Sequence, residues 1–211
     1  MDKAIFGLLG VALGVFLTVA KEWWFQSRKN KKDAEYLSIQ VISMLDRFVS
    51  GCSAVVDDDG LCHGQPDQDG YHRIQVKTPS FEPEAAKVEW KSLPANLMYE
   101  VLTFPNKVEI ANNTISAIFE YGTTPPDYVE GFEERQYLYA ELGLEAAELA
   151  SKLRAYSGLP MRQKNEWNSV AFIKERRESI ANQRQEHAKQ HEAMLQKRNE
   201  IASQETETHN K

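Results

Sequence analysis

The chain is poor in the residues that mark disulfide-dense or low-complexity proteins. It has two cysteines, eight prolines and eleven glycines among 211 residues. Two cysteines cannot build the framework of a small secreted domain, and they do not form a C-x-x-C redox pair. With 42% hydrophobic and 27% charged residues, the composition indicates an ordinary folded chain rather than a disordered or collagenous one.

The chain also lacks an excess of positive charge. Its formal net charge is −6, which argues against a protein that binds nucleic acid by neutralising phosphates. The charges are unevenly placed. Residues 36–160 carry nine basic and nineteen acidic side chains, whereas residues 161–211 carry ten basic and eight acidic ones. We therefore expect an acidic, solvated body and a tail of mixed charge.

No nucleotide-binding or hydrolase motif is present. The sequence contains no G-x-x-x-x-G-K-[ST], no G-x-G-x-x-G and no G-x-S-x-G. Acidic residues are plentiful, but none is visibly paired with a base. We therefore predict that the protein is not an enzyme and assign no catalytic residue and no cofactor, with an enzyme of unfamiliar type as an alternative.

A metal centre is not predicted either. Structural zinc sites show paired short ligand spacings. The candidate ligands of mixed type lack such spacings; these are Cys52, Cys62, His63 and His72. His187 and His191 are four residues apart, but the glutamate of a metalloprotease motif and a third ligand are missing. The segments 57–60 and 67–70 resemble fragments of calcium loops without the bidentate glutamate, so turn formation explains them.

The strongest positive feature is an uncharged apolar run from Ala4 to Ala20, AIFGLLGVALGVFLTVA. At ~1.5 Å per residue this run makes a helix of ~25 Å, at the short end of what crosses a bilayer. A cleaved signal peptide would carry its positive charge before the run, whereas here most of it follows. A buried core helix would need an equally apolar partner, and the sequence has no second such run. We therefore predict a single-span membrane anchor.

Basic and aromatic side chains follow the apolar run directly. Such residues favour the membrane interface. The predicted interface residues are Lys21, Trp23, Trp24, Arg28, Lys29, Lys31 and Lys32, and we call residues 21–32 the basic collar. Because basic residues beside a span are retained in the cytoplasm, we expect the N-terminus outside and the body cytoplasmic. The collar is also expected to bind anionic membrane lipid. The inverted topology is an alternative.

Small residues share one face of the predicted span. At 100° per residue they fall within about an 80° arc, and they are Gly7, Gly10, Gly14 and Thr18. Gly10 and Gly14 form a G-x-x-x-G pair, which lets two helix backbones approach closely in lipid. We therefore predict that the protein self-associates through this face, although glycine is also common in membrane helices generally.

Beyond the collar, apolar residues recur at spacings of three and four, as in amphipathic helices. The stripes cover residues 33–56, 92–102, 105–122 and 128–156. Ser92 is expected to cap the second helix, Pro105 to open the third, and only Arg135 interrupts the last stripe. The first helix should continue the membrane span. Because these stripes must cover one another, we predict an all-α fold with an antiparallel helical bundle.

The remaining segments are less regular. Residues 57–91 read as a long loop region, with a short strand possible at 71–76 and a short helix at 84–90. Residues 164–203 predict a charged, projecting helix or a weak polar coiled coil, and residues 204–211 should be disordered. The predicted domains are therefore an anchor and collar (1–32), a bundle (33–160) and a charged tail (161–211). We expect the tail beyond about Ile180 to be dispensable for stability.

These features together predict a membrane-tethered helical interaction protein on the cytoplasmic face, acting as a scaffold, adaptor or assembly component. Its expected partners are membrane lipid, a second copy of the chain and a protein that the sequence does not identify, with no nucleic acid. The alternative is a sensor or signalling module that transmits a change through the helix continuing the span. That alternative needs a ligand site, and the loop region 57–91 is the segment with room for one.

Overall fold

The described part of the chain folds into four α-helices joined by irregular segments. The computed structural model describes residues 2–86, 89–161 and 168–209, with side-chain surroundings given for 13–86, 89–161 and 168–198. The helices are α1 (Asp2–Asp57), α2 (Ala95–Tyr121), α3 (Val129–Ser157) and α4 (Ser169–His209). Two short 3-10 helices, Pro83–Ala85 and Trp90–Ser92, precede α2. No β-strand occurs among the described residues. The predicted all-α fold is confirmed.

Helix α1 changes character along its length. From Leu13 to Lys32 every side chain is exposed. From Ala34 onward one face is buried at intervals of three and four residues, and this face includes Leu37, Val41, Leu45 and Phe48. The prediction that the helix of residues 33–56 continues the apolar N-terminal run is therefore confirmed.

Helix α2 differs from the prediction. We expected two helices separated at Pro105, but the structure has one helix with Pro105 inside it. Proline removes one N–H donor and crowds the carbonyl four residues earlier. The helix nevertheless continues, because buried side chains flank the proline on both sides: Val101, Phe104 and Val108. Tertiary burial outweighs the local penalty here.

Three local predictions around α2 and the loop region were also wrong. Ser92 does not cap a helix; it ends a 3-10 turn and its hydroxyl donates to the carbonyl oxygen of Glu89 at 2.8 Å. In place of a helix over residues 84–90, the described residues there form parts of the two 3-10 turns, and residues 87 and 88 lie outside the described set. Residues 71–76 pair with no neighbouring strand. Their N–H groups bond loop carbonyl oxygens and the carboxylates of Asp58 and Asp67 instead.

The folded chain consists of two compact units, each built from three separate segments. The first consists of residues 1–47, 80–106 and 147–163, and the second of residues 48–79, 107–146 and 164–211. The predicted domain boundaries at 32 and 160 stay a prediction.

Within the second unit, the helices run antiparallel, as predicted. Lys107 of α2 pairs with Glu145 of α3. Asn112, which is further along α2, accepts a hydrogen bond at 2.7 Å from Tyr139, which comes before Glu145 in α3. Helix α4 likewise runs antiparallel to α3 in this unit, because Arg177 pairs with Glu141 whereas Arg184, further along α4, pairs with Glu133, which comes earlier in α3.

Helix α4 is buried only near its start. Ile173 and Ile180 are buried, whereas the described side chains from residue 185 to residue 198 are almost all exposed, in agreement with the predicted projecting charged helix. The backbone stays helical to His209, which is six residues into the segment that we expected to be disordered.

Candidate functional site

The first candidate site is the exposed part of α1. Large apolar side chains there are open to the surroundings, including Leu13, Phe16 and Leu17, each at least 59% exposed. Among the described residues from Leu13 onward, α1 is the one helix long and apolar enough to cross a membrane. Both the N-terminal and the C-terminal part of α1 are apolar, so apolarity alone does not distinguish a membrane span from a core helix. Solvent exposure distinguishes the two parts, because residues 13–32 bury no face against the rest of their unit.

The predicted interface residues form local pairs along α1. The guanidinium carbon of Arg28 lies 3.9 Å from the ring centroid of Trp24, one turn earlier. The Lys21 ammonium lies 5.9 Å from the ring centroid of Phe25, again four residues away. Trp23, Lys29, Lys31 and Lys32 are exposed. These cation–π contacts keep basic groups beside aromatic rings, as suits the boundary between hydrocarbon and headgroups.

The glycine face can be examined from Gly14 onward. A Cβ atom built on Gly14 meets no heavy atom within 4 Å, so the chain itself leaves this face open. The hydroxyl of Thr18 donates to the carbonyl oxygen of Gly14 at 2.9 Å and is thereby satisfied within the helix. Gly7 and Gly10 precede Leu13 and lie outside the residues whose surroundings are described. The predicted self-association through this face stays a prediction.

A cavity of about 330 Å³ lies beside the end of the collar, within the first unit. Ser27, Lys31 and Glu35 of α1 line it, together with Tyr156 and Ser157 at the end of α3. The Ser157 hydroxyl already donates a hydrogen bond to the hydroxyl of Ser38 at 2.5 Å. The cavity therefore offers one lysine and a few hydroxyl groups, balanced by one glutamate.

The structure also contains a buried ion pair that the sequence analysis did not predict. Arg135 of α3 and Asp58, the residue after α1, are each 1% exposed, and Nη1 of the arginine lies 2.9 Å from Oδ2 of the aspartate. Asp58 was interpreted only as a turn residue. Arg135 was noted only as the interruption of an apolar stripe, and that interruption was the available signal, because an unpaired arginine is very costly to bury.

This ion pair holds the loop that follows α1. The Asp58 carboxylate accepts backbone N–H bonds from Gly60, Gln75 and Val76 at 2.9–3.0 Å. Arg135 Nη2 donates to the carbonyl oxygen of Val76 at 2.5 Å. Residues 75 and 76 are therefore held by the Asp58 carboxylate, and Val76 also by Arg135 of α3, in place of a β-ladder, so the expected strand does not form. The pair therefore organises the fold around this loop.

The described cysteines and histidines do not form a group of metal ligands. Cys52 is buried in α1, and burial raises the pKa of its thiol, so it stays protonated and unreactive at neutral pH. Cys62 is exposed in the loop region. His187 and His191 are exposed on α4. In the part of the chain that the structure describes, no three His, Cys, Asp or Glu side chains are grouped so that they could hold a metal ion.

A second cavity, of about 260 Å³, lies within the second unit. Helix α3 contributes residues 129, 132, 133 and 136, and α4 contributes residues 176, 180 and 183, each set on one helical face. The loop region supplies Asp59, Leu61 and His72, and the turn before α3 supplies Asp127. A ligand site was expected, if anywhere, in the loop region 57–91, but no pattern in the sequence indicated that α4 would line it too.

Comparison with known proteins adds no relative. No protein-family model matches the chain, and no curated protein or solved structure is significantly similar to it.

Proposed function

We propose that the protein is a single-pass, membrane-anchored helical interaction protein that serves as a scaffold, adaptor or assembly component. The observation that supports this proposal most directly is the change in exposure along α1. Its apolar and aromatic residues from Leu13 to Phe25 are exposed, whereas most of its apolar residues from Ala34 onward are buried. Exposed apolar surface of this extent is typical of a membrane or protein interaction site.

The proposed orientation places the bundle in the cytoplasm. Its support is the basic collar after the apolar run, because lysine and arginine beside a span are retained on the cytoplasmic side. Cys62 offers a direct test, since it is exposed whereas Cys52 is buried. A membrane-impermeant maleimide should label Cys62 only after cells are permeabilised, and Cys62→Ser should abolish the labelling. Labelling of intact cells would place the bundle outside.

Self-association through the glycine face is part of the proposal. Gly14→Ile adds a branched side chain where two backbones would touch, and in lipid no hydrophobic force compensates for the lost packing. The chain's own structure has room for this side chain. We expect crosslinked dimer in membranes to fall severalfold in Gly14→Ile, with Phe16→Ile on the opposite face as the control. An unchanged dimer yield with normal insertion would contradict self-association through Gly14.

The proposed interaction role is tested by purifying the tagged full-length chain from its native membranes in mild detergent. We expect one protein to co-purify in near-stoichiometric amount. A control that carries the same tag and span but an unrelated cytoplasmic domain should lose that protein. Recovery of the chain alone, or equal recovery by the control, would contradict a scaffold or adaptor role for the bundle.

A sensor or signalling module is the second candidate function. The observation that favours it is the 260 Å³ cavity in the second unit, which meets the requirement for a ligand site. Such a module should change its self-association or its partner binding when the cavity is filled.

A further inference from the structure

Helix α4 is attached to the second unit through little apolar surface. Ile173 and Ile180 are the two buried apolar side chains among the residues of α4 whose surroundings are described. By comparison, the end of α1 in the same unit buries Phe48, Val49, Cys52, Val55 and Val56. Because the hydrophobic contribution grows with the apolar area removed from water, apolar burial holds α4 less firmly than it holds the end of α1.

Ion pairs with α3 add to this attachment. Arg177 of α4 pairs with Glu141. Nε of Arg184 lies 2.6 Å from Oε1 of Glu133, and its Nη2 lies 2.7 Å from Oε2 of Glu134. These five side chains are between 22% and 44% exposed, so dissolved ions reach them. Since the screening length falls to ~3 Å at 1 M salt, the attachment of α4 should weaken as the ionic strength rises.

The docked position of α4 also leaves one polar atom without a partner. Nε of Arg176 is inaccessible to solvent and has no hydrogen-bond acceptor among the residues that the structure describes. A buried N–H without an acceptor is rare in folded proteins, and it loses the hydrogen bond that it makes with water when it is exposed. Hydration of this N–H therefore favours the state in which α4 has left α3.

A buried thiol lies next to the start of α4. A Cβ atom built on Gly143 of α3 would lie 3.0 Å from Cδ1 of Ile173 and 3.7 Å from Sγ of Cys52. Ile173 of α4 and Cys52 of α1 therefore share the space above the glycine, and neither side chain is accessible to solvent. When α4 leaves, Ile173 leaves this space, and a small reagent can reach the thiol.

We propose that α4 is a releasable helix, held on α3 by the ion pairs of Arg177 and Arg184, and that its release opens the space above Gly143 and exposes Cys52. This conformational device goes beyond membrane anchoring and does not depend on it. It supplies the moving element that the sensor alternative requires.

Release is measured on full-length Cys62→Ser protein in mild detergent, in which Cys52 is the remaining thiol of the chain. The rate of labelling by uncharged N-ethylmaleimide is compared at low salt and at 1 M sodium chloride. We expect labelling to be at least about fivefold faster at high salt, because three partly exposed ion pairs are screened. A labelling rate that does not depend on salt would overturn the proposal.

Urea separates release of α4 from unfolding of the whole unit. Local opening exposes less surface than global unfolding, so the labelling rate should rise only weakly with urea below the unfolding transition. A urea dependence as steep as that of global unfolding would mean that reagent reaches Cys52 only in the unfolded chain, and would also overturn the proposal.

Variants assign the release to the ion pairs. Arg177→Gln with Arg184→Gln should be labelled at low salt about as fast as the parent protein at high salt, and should lose most of the salt dependence. The matched control, Lys107→Gln, breaks a similarly exposed ion pair that joins α3 to α2, and should keep the parent's rate and salt dependence. Salt dependence equal to the parent's in the folded double variant would contradict the role of these arginines.

Discussion

At the scale of single residues, the buried Asp58–Arg135 pair is the strongest constraint on the loop after α1. Removing one partner of a buried pair leaves an uncompensated charge, which typically costs about 3–5 kcal/mol. The two partners are not equivalent. Without Arg135, the Asp58 carboxylate keeps its three backbone N–H donors, whereas without Asp58 the guanidinium keeps only a carbonyl oxygen.

Asp58→Ala should therefore lower the free energy of unfolding by about 3–5 kcal/mol, and Arg135→Met should lower it by less. Urea denaturation monitored by circular dichroism measures both values. The control is Arg73→Met, which breaks the ion pair with Asp67 on the surface and should cause no measurable change. Equal losses in Asp58→Ala and Arg73→Met would contradict the structural role of the buried pair.

Two glycines of the same loop provide a second test at this scale. Gly60 and Gly64 both have positive φ angles, +82° and +74°. A Cβ atom on Gly60 would lie 2.3 Å from Cζ of Phe132, whereas one on Gly64 would meet nothing within 4 Å. Both alanine variants incur left-handed backbone strain of about 1–2 kcal/mol. Only Gly60→Ala adds overpacking.

Gly60→Ala should thus be less stable than Gly64→Ala by about 1–3 kcal/mol. Thermal denaturation of the two variants beside wild type gives the comparison, and the backbone strain cancels between them. Equal stability would mean that Phe132 does not pack against the loop at Gly60.

At the scale of elements, the helices were predictable where burial follows the helical period. Leu37, Val41 and Leu45 belong to the apolar stripe predicted over residues 33–56, and all three are buried. The predicted helix break at Pro105 was wrong, because the backbone preference of proline does not take into account the buried side chains that flank it in α2. The strand at residues 71–76 was wrong for a related reason. The N–H groups of residues 72, 73, 75 and 76 bond carbonyl oxygens and the Asp58 carboxylate, which are distant in sequence.

Helix α4 allows the boundary between packed and projecting segments to be tested. Ile173 and Ile180 are buried, and Arg184 contacts Glu133 and Glu134 of α3 while stacking 4.6 Å from the ring centroid of Tyr137. Described side chains beyond this point are almost all exposed. The stabilising part of the helix therefore ends near Arg184.

Deleting residues 186–211 should leave the melting midpoint nearly unchanged. Deleting residues 169–211 should cost about 3–6 kcal/mol, at about 1.5–3 kcal/mol for each buried isoleucine. Calorimetry of the two truncated proteins beside the full chain gives both values. A large loss from the shorter deletion would show that the distal helix also contributes to the folded unit.

At the scale of the whole molecule, the sequence predicted the class of fold and the exposed apolar segment better than it predicted the candidate sites. Apolar runs and charge asymmetry are properties of contiguous residues and can be read directly. The Asp58–Arg135 pair spans 77 residues, and the cavity of about 260 Å³ is lined by the loop region, α3 and α4. Such groupings depend on the three-dimensional path of the chain, and only the arginine interrupting an apolar stripe indicated one of them.

The central claim is that the exposed part of α1 anchors the protein in a membrane. Full-length protein should stay in the membrane pellet after carbonate extraction. The variant with Leu13→Lys and Phe16→Lys should be released, because each lysine in a span costs about 2.5–3.5 kcal/mol near its centre. The matched control, Tyr99→Lys with Ile110→Lys, makes the same change at exposed positions of α2 and should stay in the pellet. Release of the unmodified full-length protein by carbonate would contradict the claim.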